Sequence, residues 1–332
     1  MKAAVIGSGA WGTALAIRLH NNGHDVTMWT FETDLIPQME QERINPRLQG
    51  VLLPERLKIS PDYSCVKDCK LVVIATPSFP IRSVCRGIAP HLDEDAVLVS
   101  VTKGLEDGSQ KRMSQVVEEE TLRPVVALTG PSHAEEVAVG LPTGCLAAHE
   151  DKDKAEFVQK AFMGDGFRIY TSPDPVGAEL GGALKNVIAL CAGVTDGLGF
   201  GDNMKAMLMT RGLTEIARLG VALGARKDTI TGLSGVGDLI VTCTSMHSRN
   251  RRAGILIGKG FTPKKAMEEV GAVVEGYYAT KSAWELGRKM GVDMPIVEAA
   301  YRVLYENAPA AQVVHDLLTR PGTVEQENPG WL

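Results

Sequence analysis

One lysine in the second half of the chain has surroundings that suit proton transfer. Lys185 is the only cation between residues 177 and 193, and the positions at helical spacing from it are alanine or glycine. A lysine in a shallow groove on such a helix is partly desolvated, which lowers its pKa and suits it to acid/base work near neutral pH. A lysine that snorkels to the surface is the alternative. The spacing favours a chemical role for Lys185.

A short polar motif further along the chain is typical of an anion site. Ser248 is predicted to cap a helix that begins with Arg249 and Asn250, and two more arginines follow before the apolar stretch at 253–257. Arginines in a first turn oppose the helix dipole, so they are better explained if at least one meets a bound anion. Arginine can hold a phosphate with two hydrogen bonds, and asparagine can add another. A solvated basic face is the alternative.

The start of the chain carries a glycine-rich turn between a predicted strand and a predicted helix. Gly7, Gly9 and Gly12 fit the pattern G-x-G-x-x-G, and Leu15, Ala16 and Leu19 lie on one face of the helix that follows. In this context the first glycine permits the turn, the second lets a pyrophosphate approach, and the third lets the helix pack on the strand. The pattern predicts a dinucleotide site, with a purely structural turn as the alternative.

The choice between NAD and NADP stays open at this point. The second strand ends in Trp29, Thr30, Phe31 and Glu32, with neither an acid directly at the strand end nor an arginine. An acid there would bind the adenosine ribose of NAD and repel a 2′-phosphate. Glu32 favours NAD slightly, but an exposed loop acid is the alternative.

Further candidates follow predicted strands, where open α/β sheets bind their ligands. Lys103 lies between a strand end and a glycine, as an anion-binding cation would. Ser132 follows Gly130 and forms an S-x-x-E capping box with Glu135, so it is either a cap alone or a cap that also contacts a ligand. The second glycine-rich turn, at 232–237, lacks the lysine of a P-loop and is predicted to position Asp238. That acid could instead cap a helix.

The elements that must position these residues fall into two groups. Strands are predicted at 2–6, 25–29, 70–75, 96–102, 125–128 and 167–170, alternating with helices, which indicates a mostly parallel sheet. Beyond two prolines at 173 and 175 the pattern is helical, with helices at 174–194, 203–223, 276–290 and 295–306. The predicted fold is α/β, a Rossmann-type doubly wound sheet followed by an all-helical domain. We place the boundary near 173–186, with domains at 1–184 and 185–332.

Two helices carry more specific expectations. The helix around Lys185 contains three internal glycines, each of which costs about 1 kcal/mol relative to alanine, so another backbone or a ligand is expected to approach closely. In the helix from Pro295, the apolar residues Ile296, Val297, Ala300, Val303 and Leu304 form one stripe that needs a covering surface.

Composition limits the class of protein. The 332 residues include 44% hydrophobic and 23% charged residues, and the net charge is -5. That charge and the absence of interleaved aromatics around the arginines argue against nucleic acid and anionic membranes as partners. Six scattered cysteines without zinc-ligand spacing predict free thiols, no metal site and a cytoplasmic protein. No segment approaches the roughly 20 apolar residues of a membrane span.

Seven motifs in order resemble one family over the whole chain. They are GSGAWG (7–12), VTKG (101–104), GPSHAEEVA (130–138), ALKN (183–186), SGVGDL (234–239), SRN (248–250) and VVEGY (273–277). Together they are similar to the bacterial NAD(P)-dependent glycerol-3-phosphate dehydrogenases. The resemblance implies NAD or NADP as cofactor, hydride transfer between NAD(P)H and dihydroxyacetone phosphate, and a product that feeds phospholipid synthesis. It also favours a homodimer.

The resemblance further implies a role for each matching position. Lys185 would be the general acid/base. The phosphorylated substrate would contact Lys103, Gly130, Ser132, Lys185, Asp238, Ser248, Arg249 and Asn250. The cofactor would contact the three glycines of the first turn together with Ala10, Trp11, Phe31, Lys103, Ala134, Arg249, Val273 and Glu275. Two other classes stay open: a 3-hydroxyacid or 6-phosphogluconate-type dehydrogenase, which would take a carboxylate substrate, and an NAD(P)-sensing regulator without catalysis.

Overall fold

A single eight-stranded sheet organises the first half of the chain. The computed structural model of the protein describes residues 1–325. The strands are β1 (Lys2–Ile6), β2 (Asp25–Trp29), β3 (Lys58–Ser60), β4 (Leu71–Ile74), β5 (Val97–Ser100), β6 (Val125–Thr129), β7 (Thr143–Ala148) and β8 (Phe167–Ser172). Their order across the sheet is β3-β2-β1-β4-β5-β6-β7-β8, and all pairs are parallel except β6 with β7. The predicted α/β class is confirmed.

Two of these strands are absent from the sequence prediction, and each lacks the usual strand signal. β3 has three residues at the sheet edge, which is too short to show a period of two. β7 reads Thr-Gly-Cys-Leu-Ala-Ala and has one β-branched residue. Pairing with β6 and β8 therefore stabilises β7 where its own residues do not favour a strand.

Helices cover the sheet and form the whole of the second half. They are α1 (Ala10–Asn21), α2 (Ile36–Gln41), α3 (Ile81–Ile88), α4 (Met113–Thr121), α5 (Ala134–Ala138), α6 (Lys152–Phe162), α7 (Pro175–Gly197), α8 (Asp202–Ala222), α9 (Lys227–Ile230), α10 (Asp238–Thr244), α11 (Arg249–Gly258), α12 (Pro263–Val270), α13 (Glu275–Met290), α14 (Pro295–Tyr305) and α15 (Ala310–Leu318). The four long helices predicted from periodicity correspond to α7, α8, α13 and α14. All five residues of the predicted apolar stripe on α14 are buried.

The helix α7 is the centre of the second half. Pro175 occupies its first turn, and the Asp174 carboxylate accepts a hydrogen bond of 2.9 Å from the Gly177 N–H. A Cβ at Gly193 would lie 2.1 Å from the carbonyl oxygen of Arg251, and one at Gly181 would lie 2.9 Å from that of Ser234. Neighbouring backbone therefore packs directly on the helix, as its glycines predicted.

Three of the expectations from the sequence concern the cysteines, membrane-spanning segments and metal sites. All six cysteines carry free thiols, and four of them are buried. Within residues 1–325 no helix is long and apolar enough to cross a membrane. In the same range no three His, Cys, Asp or Glu side chains are grouped to hold a metal ion. The domain limits at 184 and 185 stay a prediction, and residues 326–332 of the second predicted domain lie outside the described residues.

Candidate active site

The glycine-rich turn between β1 and α1 has the geometry that a dinucleotide needs. Gly7 has a φ of +125°, and a Cβ there would lie 2.6 Å from the Ala75 carbonyl oxygen. A Cβ at Gly12 would lie 2.0 Å from the Gly7 carbonyl oxygen, so helix and turn are in direct contact. At Gly9 nothing lies within 4 Å of the same position. Two glycines are thus required by packing, and Gly9 leaves the open space that a pyrophosphate would fill.

Three hydroxyl groups at neighbouring strand ends have no partner. Thr76 follows β4, Ser100 ends β5 and Thr129 ends β6, and the side-chain oxygen of each is buried without a hydrogen bond within residues 1–325. The Trp11 indole N–H at the start of α1 is in the same condition. Buried polar groups without partners are rare in folded proteins. Their position at the carboxyl edge of the sheet fits a polar ligand such as a nicotinamide dinucleotide.

Lys185, Asp238 and Lys103 form a continuous charged cluster next to this edge. The Lys185 Nζ lies 2.6 Å from Asp238 Oδ1, and the Lys103 Nζ lies 2.7 Å from Asp238 Oδ2. Lys185 and Asp238 are buried, whereas Lys103 is half-buried. One carboxylate therefore joins two ammonium groups that come from the sheet edge and from α7.

The charges of this cluster suit it to proton transfer. Burial lowers the pKa of Lys185 to about 8, although Asp238 opposes the shift. Burial alone would raise the pKa of Asp238, but Lys103 and Lys185 outweigh it and hold that pKa below its usual value. Asp238 is consequently ionised while Lys185 can exchange a proton near neutral pH. The snorkelling alternative for Lys185 is wrong, since its side chain is buried.

The loop after β6 contacts the same charged cluster. Its serine, Ser132, does not form the predicted capping box. Lys103 Nζ donates to the Gly130 carbonyl oxygen at 3.1 Å, and Ser132 Oγ donates to that oxygen at 2.9 Å. The helix α5 begins only at Ala134, and His133 precedes it without a side-chain cap. The predicted capping box of Ser132 and Glu135 is therefore wrong, because the Ser132 hydroxyl turns back to Gly130.

Two residues of the polar motif at the start of α11, Ser248 and Asn250, form hydrogen bonds within the protein. Ser248 Oγ accepts from the Arg251 N–H at 3.2 Å, so the predicted cap is confirmed. Asn250 is buried, donates to Asn186 Oδ1 at 2.9 Å and accepts from the Gly276 N–H at 2.8 Å. It therefore fastens α11 to α7 and α13, directly beside Lys185.

The arginines of α11 have different surroundings. The Arg251 guanidinium lies 2.8 Å from the carboxylate of Asp196, so the anion that pairs with Arg251 is a side chain of the protein itself. Arg249 is exposed, and its guanidinium has no hydrogen bond or ion pair within the described chain. Arg252 is exposed and without such a partner as well, but Arg249 is the one whose charge acts on Glu275 at the start of α13, so Arg249 is the arginine that we assign to an external anion.

The comparisons with known proteins point to one family over almost the whole chain. Residues 2–155 match the family model for the NAD-dependent glycerol-3-phosphate dehydrogenase N-terminus, and residues 174–315 match that for the C-terminus. The chain is 48% identical over 330 residues to the glycerol-3-phosphate dehydrogenase (NAD(P)+) of Fusobacterium nucleatum, covering 98% of each. It is 50% identical over 330 residues to that of Moorella thermoacetica, covering 99% of this chain and 98% of the relative.

A solved structure gives the same result. The crystal structure of glycerol-3-phosphate dehydrogenase from Coxiella burnetii has a TM-score of 0.92 at 37% identity, covering 96% of this chain and 99% of that one. The chain belongs to the NAD-dependent glycerol-3-phosphate dehydrogenase family. The family resemblance found in the sequence motifs is confirmed.

The remaining predicted cofactor positions of this glycerol-3-phosphate dehydrogenase family member lie in different environments. Ser78 donates to Glu275 Oε2 at 3.0 Å, which links the loop after β4 to the start of α13, and burial raises the pKa of Glu275. Val273 is half-buried just before α13, and Ala134 is buried at the start of α5. Phe31 is 83% exposed beyond the end of β2. The strands β1 and β4 lie between β2 and β5, the strand that precedes Lys103, so Phe31 lies apart from the lysine cluster.

One residue in contact with the charged cluster of this family member was not predicted from the sequence. Lys185 donates to Thr242 Oγ1, and that hydroxyl donates to the Asp238 carbonyl oxygen at 2.6 Å. Thr242 follows Asp238 by four residues, so the two share one face of α10. That spacing is the signal that could have identified Thr242 once Asp238 was assigned to a helix.

Proposed function

We propose that the chain catalyses the reversible, NAD(P)-dependent reduction of dihydroxyacetone phosphate to glycerol 3-phosphate, a product that feeds phospholipid synthesis. The observation that carries the proposal is the Lys103–Asp238–Lys185 cluster, which lies at the carboxyl edge of the sheet near the dinucleotide turn. Membership of the family and the 48% identity to the glycerol-3-phosphate dehydrogenase (NAD(P)+) of Fusobacterium nucleatum agree with it.

The side chains of the cluster divide the chemistry between them. When bound, the nicotinamide ring supplies the hydride that goes to C2 of the substrate. Lys185 gives a proton to the oxygen on which negative charge develops, and Lys103 adds positive charge beside it. Asp238 holds both ammonium groups in place and keeps Lys185 protonated near neutral pH. In the reverse direction, neutral Lys185 takes the proton from the alcohol.

The phosphate is held on the side of α11 in this proposal. Arg249 supplies the unpaired guanidinium, and Ser248 and Asn250 complete the substrate site together with Gly130 and Ser132. Binding the phosphate away from the reacting carbon orients the carbonyl, which is how remote binding energy contributes to rate.

The cofactor site in this proposal uses both halves of the chain. Its residues are Gly7, Gly9, Ala10, Trp11, Gly12, Phe31, Lys103, Ala134, Arg249, Val273 and Glu275. The open position at Gly9 and the unpartnered Trp11 N–H support it. The division into a dinucleotide-binding part at 1–184 and a substrate and dimerisation part at 185–332 belongs to the same proposal.

A homodimer in the cytoplasm completes the proposal. The family resemblance favours self-association, and the free thiols are compatible with a reducing compartment. Sedimentation equilibrium of the purified protein tests the dimer.

Turnover with dihydroxyacetone phosphate tests the activity. Purified protein should oxidise NADH or NADPH with this substrate. We expect Lys185→Ala to lower kcat by about 10²- to 10⁴-fold, because the proton donor is lost. Arg249→Ala should mainly raise KM, by about tenfold or more, because a charge-assisted hydrogen bond to phosphate is lost. Arg252→Ala, an exposed arginine of the same helix, is the matched control and should change neither constant.

Other outcomes discriminate the remaining classes. Turnover of a 3-hydroxyacid without activity on dihydroxyacetone phosphate would keep the dehydrogenase fold and remove the phosphate site. Tight nucleotide binding without any turnover would favour a sensor.

A further inference from the structure

An ion pair stands beyond the end of β2, where the sequence left the cofactor choice open. Arg47 Nε lies 3.2 Å from Glu32 Oε2, and Arg47 Nη2 contacts Glu32 Oε1. The Arg47 guanidinium therefore pairs with both oxygens of the Glu32 carboxylate. Arg47 comes from the loop after α2, a segment that no sequence motif identified.

This pair differs from an ordinary surface ion pair because both partners are fixed to the glycine-rich turn. Ser8 Oγ is 2.6 Å from Thr30 Oγ1, which accepts from the Glu32 N–H at 3.1 Å. On the other side, Asn45 donates to the Ser8 carbonyl oxygen at 2.8 Å and accepts from the Arg47 N–H at 2.9 Å. The backbones of Glu32 and Arg47 are therefore positioned relative to the turn that faces the pyrophosphate.

The side chains of Thr30 and Asn45, which hold the backbones of Glu32 and Arg47 beside the glycine-rich turn, are buried. Thr30 is fully buried, and Asn45 is 1% exposed. Asn45 also donates to Thr13 Oγ1 at 2.7 Å in the first helix. A change in the position of the loop after α2 would break these bonds, which keeps Arg47 beside Glu32.

The charges of the pair discriminate between the two nicotinamide cofactors. The hydrogen bond from Arg47 lowers the pKa of Glu32, so the carboxylate is ionised and can accept from a ribose 2′-hydroxyl. A 2′-phosphate would meet this carboxylate, with Asp34 close enough to act on Arg47 as a second negative charge. To bind the phosphate, Arg47 would have to leave Glu32 unpaired beside a dianion. An acid in this part of a Rossmann fold selects NAD.

We infer that Glu32 makes this protein select NAD(H) over NADP(H), and that Arg47 is the positioning residue that holds its carboxylate toward the adenosine ribose. The inference rests on the dinucleotide site of the proposed dehydrogenase and names the cofactor that the site takes. Phe31, next to Glu32 and largely exposed, offers an apolar surface at the same end.

Binding of the two reduced nucleotides, measured without substrate, tests the inference. Dissociation constants for NADH and NADPH are obtained from nucleotide fluorescence and from titration calorimetry. The wild type should bind NADH more tightly by about tenfold or more, the value of one charge-assisted hydrogen bond. In Glu32→Gln the guanidinium is released to take the 2′-phosphate, so NADPH should bind more tightly and the preference should fall by at least about tenfold.

Two further variants separate specificity from a general disturbance of the fold. Glu32→Gln combined with Arg47→Met should lose the gained NADPH affinity, because the phosphate then has no cation. Asp25→Asn removes an exposed acid at the opposite end of the same strand, where it pairs with Lys58 at 2.7 Å. That control should leave the ratio of the two dissociation constants unchanged. Added salt should weaken NADPH binding to Glu32→Gln more than NADH binding.

A wild type that binds NADPH at least as tightly as NADH would overturn the inference, and so would an unchanged ratio in Glu32→Gln. Either result leaves the proposed dehydrogenase intact if the wild type still turns over dihydroxyacetone phosphate. Failure to bind either nucleotide would overturn both the inference and the proposed function.

Discussion

Lys185 is subject to two opposing influences that leave it close to a useful pKa. Burial disfavours its charged form, and the Asp238 carboxylate at 2.6 Å favours it. The balance is a pKa of about 8, compared with the usual 10.5. Near neutral pH most of the molecules therefore carry a proton that can be given to an alkoxide, and a small rise in pH removes it.

The rate of each direction should depend on pH with opposite sign. Reduction needs protonated Lys185, so kcat/KM for dihydroxyacetone phosphate should fall above about pH 8, by about tenfold per unit. Oxidation of glycerol 3-phosphate needs neutral Lys185, so its kcat/KM should rise toward that pH and then level off. Initial rates in both directions, at saturating nucleotide, measure the two profiles.

Asp238→Asn removes the group that raises the pKa of Lys185. The fall in the reduction profile should therefore move to lower pH. Thr242→Val is the matched comparison, since it removes a hydrogen bond and leaves the carboxylate in place. An identical profile in Asp238→Asn would contradict the role of Asp238.

At the scale of elements, α7 is built to receive backbone on several sides. The Gly193 position meets the Arg251 carbonyl oxygen of α11, and Gly254 of α11 in turn meets the Leu190 carbonyl oxygen of α7. The two helices are thus closer than side chains would permit. This contact places the start of α11, with Arg249, beside the middle of α7, with Lys185.

Gly193→Ala should destabilise the protein even though alanine favours a helix. The substitution gains about 1 kcal/mol of helix propensity, but overpacking typically costs about 1–3 kcal/mol, and here the obstruction is backbone that cannot rotate away. The midpoint of urea unfolding should fall. Gly322→Ala is the control, because it lies outside the helices and a Cβ there meets nothing within 4 Å. A midpoint that rises in Gly193→Ala would show that α7 and α11 separate freely.

Whether an element can be predicted from the sequence depends on how strongly its own residues favour a strand or a helix. β4 and β6 are buried throughout and consist largely of valine, leucine and isoleucine, so the sequence predicts them. β7 depends on its neighbours in the sheet, and no local pattern indicates it. Ser132 and Glu135 have the right spacing for a capping box, but the chain enters α5 one residue later than that box requires, with His133 as the N-cap. Local spacing cannot show such an offset.

At the scale of the whole molecule, the site is made of contacts between distant parts of the chain. The sequence predicts Lys103, Lys185 and Asp238 as candidates because each has a distinctive local setting. It does not predict that one carboxylate joins both lysines, since the partners are 53 and 135 residues apart. Arg47 and Asn45 have no motif at all, and only the folded loop brings them to the glycine-rich turn.

The stability of the molecule should also depend on a buried acid far from the site. Glu215 of α8 is 3% exposed and accepts hydrogen bonds from the N–H groups of Ile296 and Val297 at 2.8 and 3.2 Å. Burial raises its pKa from 4.5 to about 7. Because the folded protein holds this proton across that range and the unfolded chain does not, the free energy of unfolding should decrease as pH rises from 4.5 to about 7.

Glu215→Gln should remove this dependence, because glutamine cannot ionise, although it keeps only one of the two oxygens that accept from these N–H groups. The variant should be more stable than the wild type at alkaline pH, by up to roughly 3 kcal/mol, and the difference should shrink in acid. Urea unfolding at acidic and alkaline pH measures it. Glu269→Gln, an exposed change in α12, should show no such trend. Equal pH dependence in both variants would exclude Glu215 as the source.

The ion pair between Lys103 and Asp238 also has a kinetic consequence. Its partners are separated by 135 residues, and contacts of that separation form late because the loop between them must first be ordered. A refolding chain should therefore recover its helical circular dichroism before it recovers turnover. The delay between the two signals measures how long the sheet edge that carries Lys103 and the helix α10 that carries Asp238 take to come together.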